Sequence, residues 1–246
     1  MALSFADDCQ TMVRPWPVNE GVSVKVSDAV ASRFSARAFL DKPVDGQMVR
    51  QILEAAGRAP SGGNLQPWHV WVLAGDEMAR FRALIHERQQ VTPMGEGTEY
   101  QIYPPTLKDP YRSRRFKCGE DLYATLGIGR EDKRGRLTQL AKNYDFFGAP
   151  VGLFFAIDRD MQGGQWSDLG MYMQTIMLLA REHGLHSCAQ EAWAMWHKTV
   201  AEFFAMPPEL MLFAGMALGH ADMAHPINTL RTDRAELGDT VSFHGL

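Results

Sequence analysis

Cysteine is scarce in this chain. Cys9, Cys118 and Cys188 are its only three, and they stand far apart with no CxxC pair among them. That leaves no disulfide framework and makes a reducing compartment the simpler expectation. Long apolar runs are missing too, so no segment reads as a bilayer span. The N-terminal MALSFADDCQTM carries acids where a secretory leader needs a basic start and a long apolar stretch. The expectation is a cytoplasmic protein without a membrane partner. A strong charge of one sign is also lacking: a net charge of −4 and a pI near 6.1 give no reason to expect nucleic acid. Ready-made catalytic signatures are absent, with no P-loop, no HExxH and no GxSxG. The GIG at 127–129 follows a helical segment rather than a strand, and the GGQ at 163–165 reads as a turn. Neither makes a dinucleotide-binding fingerprint. There is no internal repeat and no low-complexity segment.

What is present is ordinary globular composition, 46% hydrophobic and 22% charged over 246 residues. This reads as a single domain, 1–246, able to bury a core without staples. Residues 1–25 read as an irregular N-terminal arm. Ser27 is a candidate N-cap for a short helix through Val30 and Ala31, and Asp45 caps the next, where Met48, Ile52, Leu53 and Ala56 recur at helical spacing. HVWVLAG (69–75) predicts a buried strand, and Asp76 opens a helix with Phe81, Leu84 and Ile85 on one face. Residues 91–117 are Pro-rich and aromatic, and two polar helices are expected at about 118–126 and 131–142. The whole of 91–147 reads as an excursion or lid. Strands follow at 151–157 and 210–218, with a short one expected at 186–190. A long helix runs from Trp166 to His183 with Leu169, Met173, Ile176, Met177 and Ala180 on one stripe, and Thr199 to Phe204 is helical. The C-terminal arm, 225–246, is polar and extended.

Chemistry-bearing residues gather in a few stretches. In RFSAR (33–37) two arginines flank a serine, a set that can grip one anion. Placed at a helix end, the same cations equally suit the dipole. APSGGNLQPW (59–68) is either a plain turn or a backbone that approaches a flat ligand closely, since its glycines carry no Cβ and its Ser61, Asn64 and Gln66 offer donors and acceptors. Tyr100, Tyr103, Tyr111 and Phe116 offer stacking surfaces to a flat substrate. Arg112, Arg114, Arg115 and Lys117 form a basic cluster, read as solvated surface or as an attractor for an acidic group. His183, His186 and Cys188 lack a fourth ligand with sensible spacing, so no metal site is expected. Trp193 and Trp196 either cap a ligand pocket or fill core.

Taken together and in order, RFSARAF, APSGGNLQPW, GLHSCAQEAW (184–193), NTLRTDR (228–234) and the long central helix resemble the nitroreductase family, from about residue 27 to the C-terminus. The resemblance implies an α+β fold, a central and mainly antiparallel sheet flanked by helices, in an intertwined homodimer with FMN at the interface. Carried over residue by residue, Arg33, Ser35 and Arg231 hold the FMN phosphate and ribityl end, and Arg37 faces the N1/O2 edge. Pro60, Ser61, Asn64 and Gln66 line the ring, while Gln190, Glu191 and Ala192 lie along its N5 and O4 side. Phe34 stands where the family often has His or Arg, and Ala192 where it often has Gly. Tyr100, Tyr103, Tyr111, Arg115 and Phe116 become substrate-pocket candidates. The flavin carries the redox chemistry, so no catalytic side chain is expected for hydride transfer. The implied activity is NADPH- or NADH-dependent reduction of nitroaromatic compounds in two-electron, ping-pong steps, closest to the nitrobenzoate-reductase branch. Quinone or enone reduction and reductive dehalogenation are the alternatives within flavoenzymes, and a flavin carrier or sensor is the alternative of another class.

Overall fold

The computed structural model describes residues 24–246; the arm expected at 1–25 falls almost wholly outside that range. The chain forms one four-stranded sheet, ordered β1-β2-β4-β3, from β1 (His69–Ala74), β2 (Val151–Asp158), β3 (His186–Gln190) and β4 (Leu210–Gly219). Every neighbouring pair is antiparallel. The central strands β2 and β4 are buried on both faces, which is why both read as unbroken apolar runs. Alternation along β2 sends Leu153, Phe155 and Ile157 to one core and Phe154 to another. The first core lies under helices α2 (Gly46–Ala56) and α6 (Gly163–Glu182), the second under α3 (Gly75–Val91) and α7 (His197–Phe204). Two glycines let aromatic rings lie flat on the strands. A Cβ at Gly152 would stand 2.6 Å from Phe146 Cζ, and one at Gly215 would overlap the Trp193 indole.

Several expectations hold. Asp45 caps α2 by accepting from Gln47 N at 2.9 Å. Leu169, Met173, Ile176 and Ala180 form the buried stripe of α6, and 186–190 is a strand. Others need correction. The strand at 69–75 is an edge strand, with Leu73 its one buried residue and Val72 44% exposed. Its hydrophobicity reports sheet-forming side chains, not burial on both faces. Helix α1 (Val26–Ser32) is capped at Lys25, so Ser27 lies inside it. The excursion becomes helical earlier than its composition suggests: α4 (Tyr111–Ala124) begins right after Pro110, and α5 (Lys133–Ala141) follows Gly127, whose φ of +65° closes α4. The C-terminal arm is extended apart from a 3-10 turn at Pro226–Thr229 and one short helix, α8 (Leu237–Thr240). Among the described residues, no helix is long and apolar enough to cross a membrane.

Candidate active site

Helix α1 ends at Ser32, and Arg33 turns into extended backbone with φ −73° and ψ 127°. Arg33 thus caps the C-terminal end of α1, as expected, and the stretch leaves the helix as extended backbone. As an extended strip it puts Arg33, Ser35 and Arg37 on one side, while Ala36 is fully buried on the other. The strip is sewn to β3 on one flank, where Ser35 bridges Ser187 and Ala36 N donates to Ser187 O at 3.1 Å. On the other flank stands Asn228, 1% exposed. Its Oδ1 accepts from Arg37 N at 2.8 Å, and its Nδ2 donates to Ala38 O and Asp222 O, both at 2.8 Å. Asn228 O also accepts from Arg231 Nη1 at 2.8 Å, and the Arg231 guanidinium lies 4.2 Å over the Phe34 ring. Phe34 in turn packs 5.2 Å from His186.

Beneath the strip lies Cys188. Burial pushes its thiol up, while Arg37, the Ser35 hydrogen bond and Arg33 pull it back, so all three residues face one spot. Arg181 joins from the end of α6, donating from Nε to Ser32 Oγ at 3.1 Å and from Nη1 to Leu185 O at 2.7 Å. His186 is lowered to about 4 by burial first, then by Arg181, His220 and Arg231. Among the described residues, Arg33, Arg37, Arg181 and Arg231 make no ion pair with any carboxylate. Three of these arginines are half-buried and Arg231 is exposed; gathered guanidiniums without counter-charge repel one another, and an anion relieves that repulsion. The donor set fits a phosphate monoester.

The glycine-bearing loop is built just as tightly. Gly62 N donates to Asp168 Oδ2 at 3.1 Å, and Gln66 N to Ser61 Oγ at 3.0 Å. Gly63, Asn64 and Gln66 all take positive φ, between +50° and +58°. Left-handed backbone at two non-glycine residues is strained and persists because the loop is pinned on both sides. Trp68 completes the pin by stacking on Tyr172, centroids 4.7 Å apart and planes 7° apart. Leu65 and the Asn64 and Gln66 side chains stay exposed. The loop's anchor, Asp168, and the strip's neighbour, Arg181, stand 13 residues apart on α6. At 1.5 Å per residue that is about 20 Å. A single chain therefore does not bring Pro60, Ser61, Asn64 and Gln66 together with Arg33, Ser35, Arg37 and Arg231.

The third group follows β3. Gln190 faces inward: its Nε2 donates to Asn143 O at 2.7 Å, and its Oε1 is buried without a partner. Glu191 and Ala192 open the turn Glu191–Trp196, in which Trp193 and Trp196 are fully buried and fill core. Burial raises the Glu191 carboxyl. Tyr100 faces it, with its phenol driven well above the ordinary range by burial and then by the Glu191 charge. The Tyr100 hydroxyl donates to Phe213 O at 2.5 Å, and its ring packs against Trp166 and Phe213.

The start of the excursion is fastened here. Glu96 takes the α7 N-terminal amides of Lys198 and Thr199 at 2.9 and 3.0 Å, and Glu99 takes Arg159 at 2.6 Å. Of the substrate candidates, Tyr100 alone adjoins Glu191. Arg115 covers Tyr103 at 4.2 Å, and Tyr111 and Phe116 are exposed on α4, none of whose residues is buried. The basic cluster is partly neutralised, Arg112 by Asp109 and Lys117 by Asp121 and Asp233. Asn228, Asp168 and Glu96 carry no local signal in sequence, because each acts on backbone groups 100 or more positions away.

A family profile described as "Nitroreductase family" matches residues 30–220. A nitrobenzene nitroreductase of Ectopseudomonas oleovorans is 36% identical over 218 residues, 89% of this chain and 96% of that one. A 4-nitrobenzoate reductase of Pseudomonas putida is 36% identical over 83% of this chain and 89% of its own. Among solved structures, the FMN- and NADPH-dependent nitroreductase NfnB of Sphigopyxis sp. strain HMH superposes with a TM-score of 0.87 at 46% identity, over 91% of this chain and 100% of that one.

Proposed function

The chain belongs to the nitroreductase family, and from that premise we propose that it is an FMN-dependent oxidoreductase that uses NADPH or NADH to reduce nitroaromatic compounds in two-electron, ping-pong steps. The observation that carries this is the set of guanidiniums, Arg33, Arg37 and Arg231, gathered without a carboxylate. Arg33, Ser35 and Arg231 hold the phosphate and ribityl end, with Phe34 keeping Arg231 in place from below. Arg37 meets the N1/O2 edge, where a fixed positive charge in a poorly hydrated site stabilises the reduced ring. Glu191 and Ala192 lie along the N5 side, and Gln190 fixes that backbone through Asn143. FMN held by these residues would supply the hydride transfer between nicotinamide and acceptor.

Two copies complete each site. Pro60, Ser61, Asn64 and Gln66 come from the second subunit, because their own strip lies about 20 Å along α6. The outward face of α6 exposes Gly170, Met171 and Gln174, a face of modest side chains that suits the twofold contact. The excursion from 91 to 147 reaches from this body to shape the acceptor pocket.

The test is anaerobic. Protein loaded with FMN should bleach on adding NADPH and recover its yellow absorbance when nitrobenzoate is added, with one nitroso equivalent formed per flavin. Reoxidation by air but by no organic acceptor would replace this activity with that of a flavin carrier.

A further inference from the structure

Reduction of a nitro group to a nitroso group consumes two electrons and two protons and releases water. A hydride brings both electrons but only one proton. The other has to come from an acid beside the acceptor. Arginine does not give up its proton at working pH, and amides and backbone groups have none to give. Among the candidate cofactor-binding residues, Glu191 is the one carboxyl.

Its surroundings suit it to that role. Glu191 makes no ion pair and no side-chain hydrogen bond among the described residues. The groups around it hold no cation that would fix it as a carboxylate. Tyr100 stands nearest it from the excursion, with its hydroxyl committed to Phe213 O on β4 and its ring packed on Trp166 of α6. Glu99, earlier on the excursion, is already held by Arg159. Glu191 keeps an exposed face through which solvent can return a proton, while burial of the rest favours its neutral form.

Resting on the flavin site proposed above, we propose that Glu191 is the catalytic acid of the acceptor half-reaction. The nitro group takes the hydride that the reduced flavin supplies. The Glu191 O–H bond breaks, its proton goes to a nitro oxygen, the N–O bond breaks, and water leaves with the nitroso product. The carboxylate left behind is reprotonated from solvent. Tyr100 positions the carboxyl by closing one side of its pocket.

The Glu191→Gln variant separates the two halves of the cycle. Reduction by NADPH needs no added proton and changes less than about threefold, whereas reoxidation by nitrobenzoate slows by roughly 30-fold or more, the usual scale for a lost general acid. Ferricyanide takes single electrons without protons and reoxidises the variant as fast as the parent. The parent's reoxidation rate falls as pH rises past an ordinary carboxyl value, and that fall is missing in E191Q. A carboxyl-carbon NMR titration of the FMN-free protein shows one acid titrating above its ordinary range, and its signal is absent from E191Q. Equal nitrobenzoate reoxidation rates in parent and variant, or equal slowing of both halves, overturn the assignment. A parent protein that binds FMN but is never reoxidised by nitroarenes overturns the nitroreductase activity itself, and the acid role with it.

Discussion

Asn228 shows how one side chain can hold a site together without touching a ligand. It caps the Arg37 amide, ties down Ala38 and Asp222, and receives Arg231 through its carbonyl. Replacing it by Ala leaves the Arg37 N–H without its acceptor, at about 1–3 kcal/mol, while Ala38 O and Asp222 O keep the amides of Asp222 and His225. Asn228→Ala is expected to lower stability by about 1–3 kcal/mol in urea titration and to weaken FMN binding about tenfold or more in a fluorescence titration of the FMN-free protein. Riboflavin, lacking the phosphate, should lose much less. Equal losses for both flavins would remove Asn228 from the positioning of the arginines. Phe34 is another single-residue matter. An aromatic ring where the family often has a cation still serves the phosphate end, since its face supports Arg231.

At the scale of elements, the strands do two jobs. β2 and β4 supply the core, and β3 carries the site at both ends: Ser187 and Cys188 under the arginine strip, Gln190 leading to Glu191. Gly215 on β4 lies opposite Gln190 and under the Trp193 ring. Gly215→Ala therefore drives a methyl into a fully buried indole, an overpacking worth about 1–3 kcal/mol. The thermal midpoint should drop by several degrees, and the flavin's absorbance maximum should move as the Glu191–Trp196 turn shifts. An unchanged midpoint would mean that Trp193 has room the packing does not show. The excursion divides likewise into two parts. Residues 95–100 are locked to α7 and β4 by Glu96, Glu99 and Tyr100, and α4 stands outward with none of its residues buried.

For the whole molecule, the separation of loop and arginine strip along α6 decides how many chains a site needs. Hybrid dimers test it. Pair an Arg37→Ala copy with an Asn64→Ala copy and isolate the mixed species by two tags. With shared sites, one of the two is intact and the other doubly defective, so the hybrid recovers about half the parent rate although each variant alone is weak. A hybrid no better than the mean of its parents would mean that each chain holds a complete site. Much of this was legible beforehand. The α6 stripe, the Asp45 cap and the apolar centres of β2 and β4 are local patterns, and burial imposes a period that sequence displays directly. The residue types of RFSAR and PSGGN admitted an anion grip and a close backbone approach, but equally a helix-end cation pair and a plain turn. Three things waited for the tertiary structure: that the stretch beyond Arg33 bridges β3, that β1 lies at the sheet edge, and that Asn228 clasps Arg37 across 191 positions. The physical reason is the same for all three: which partners a segment meets depends on chain closure over long distances, and no short window of sequence records that.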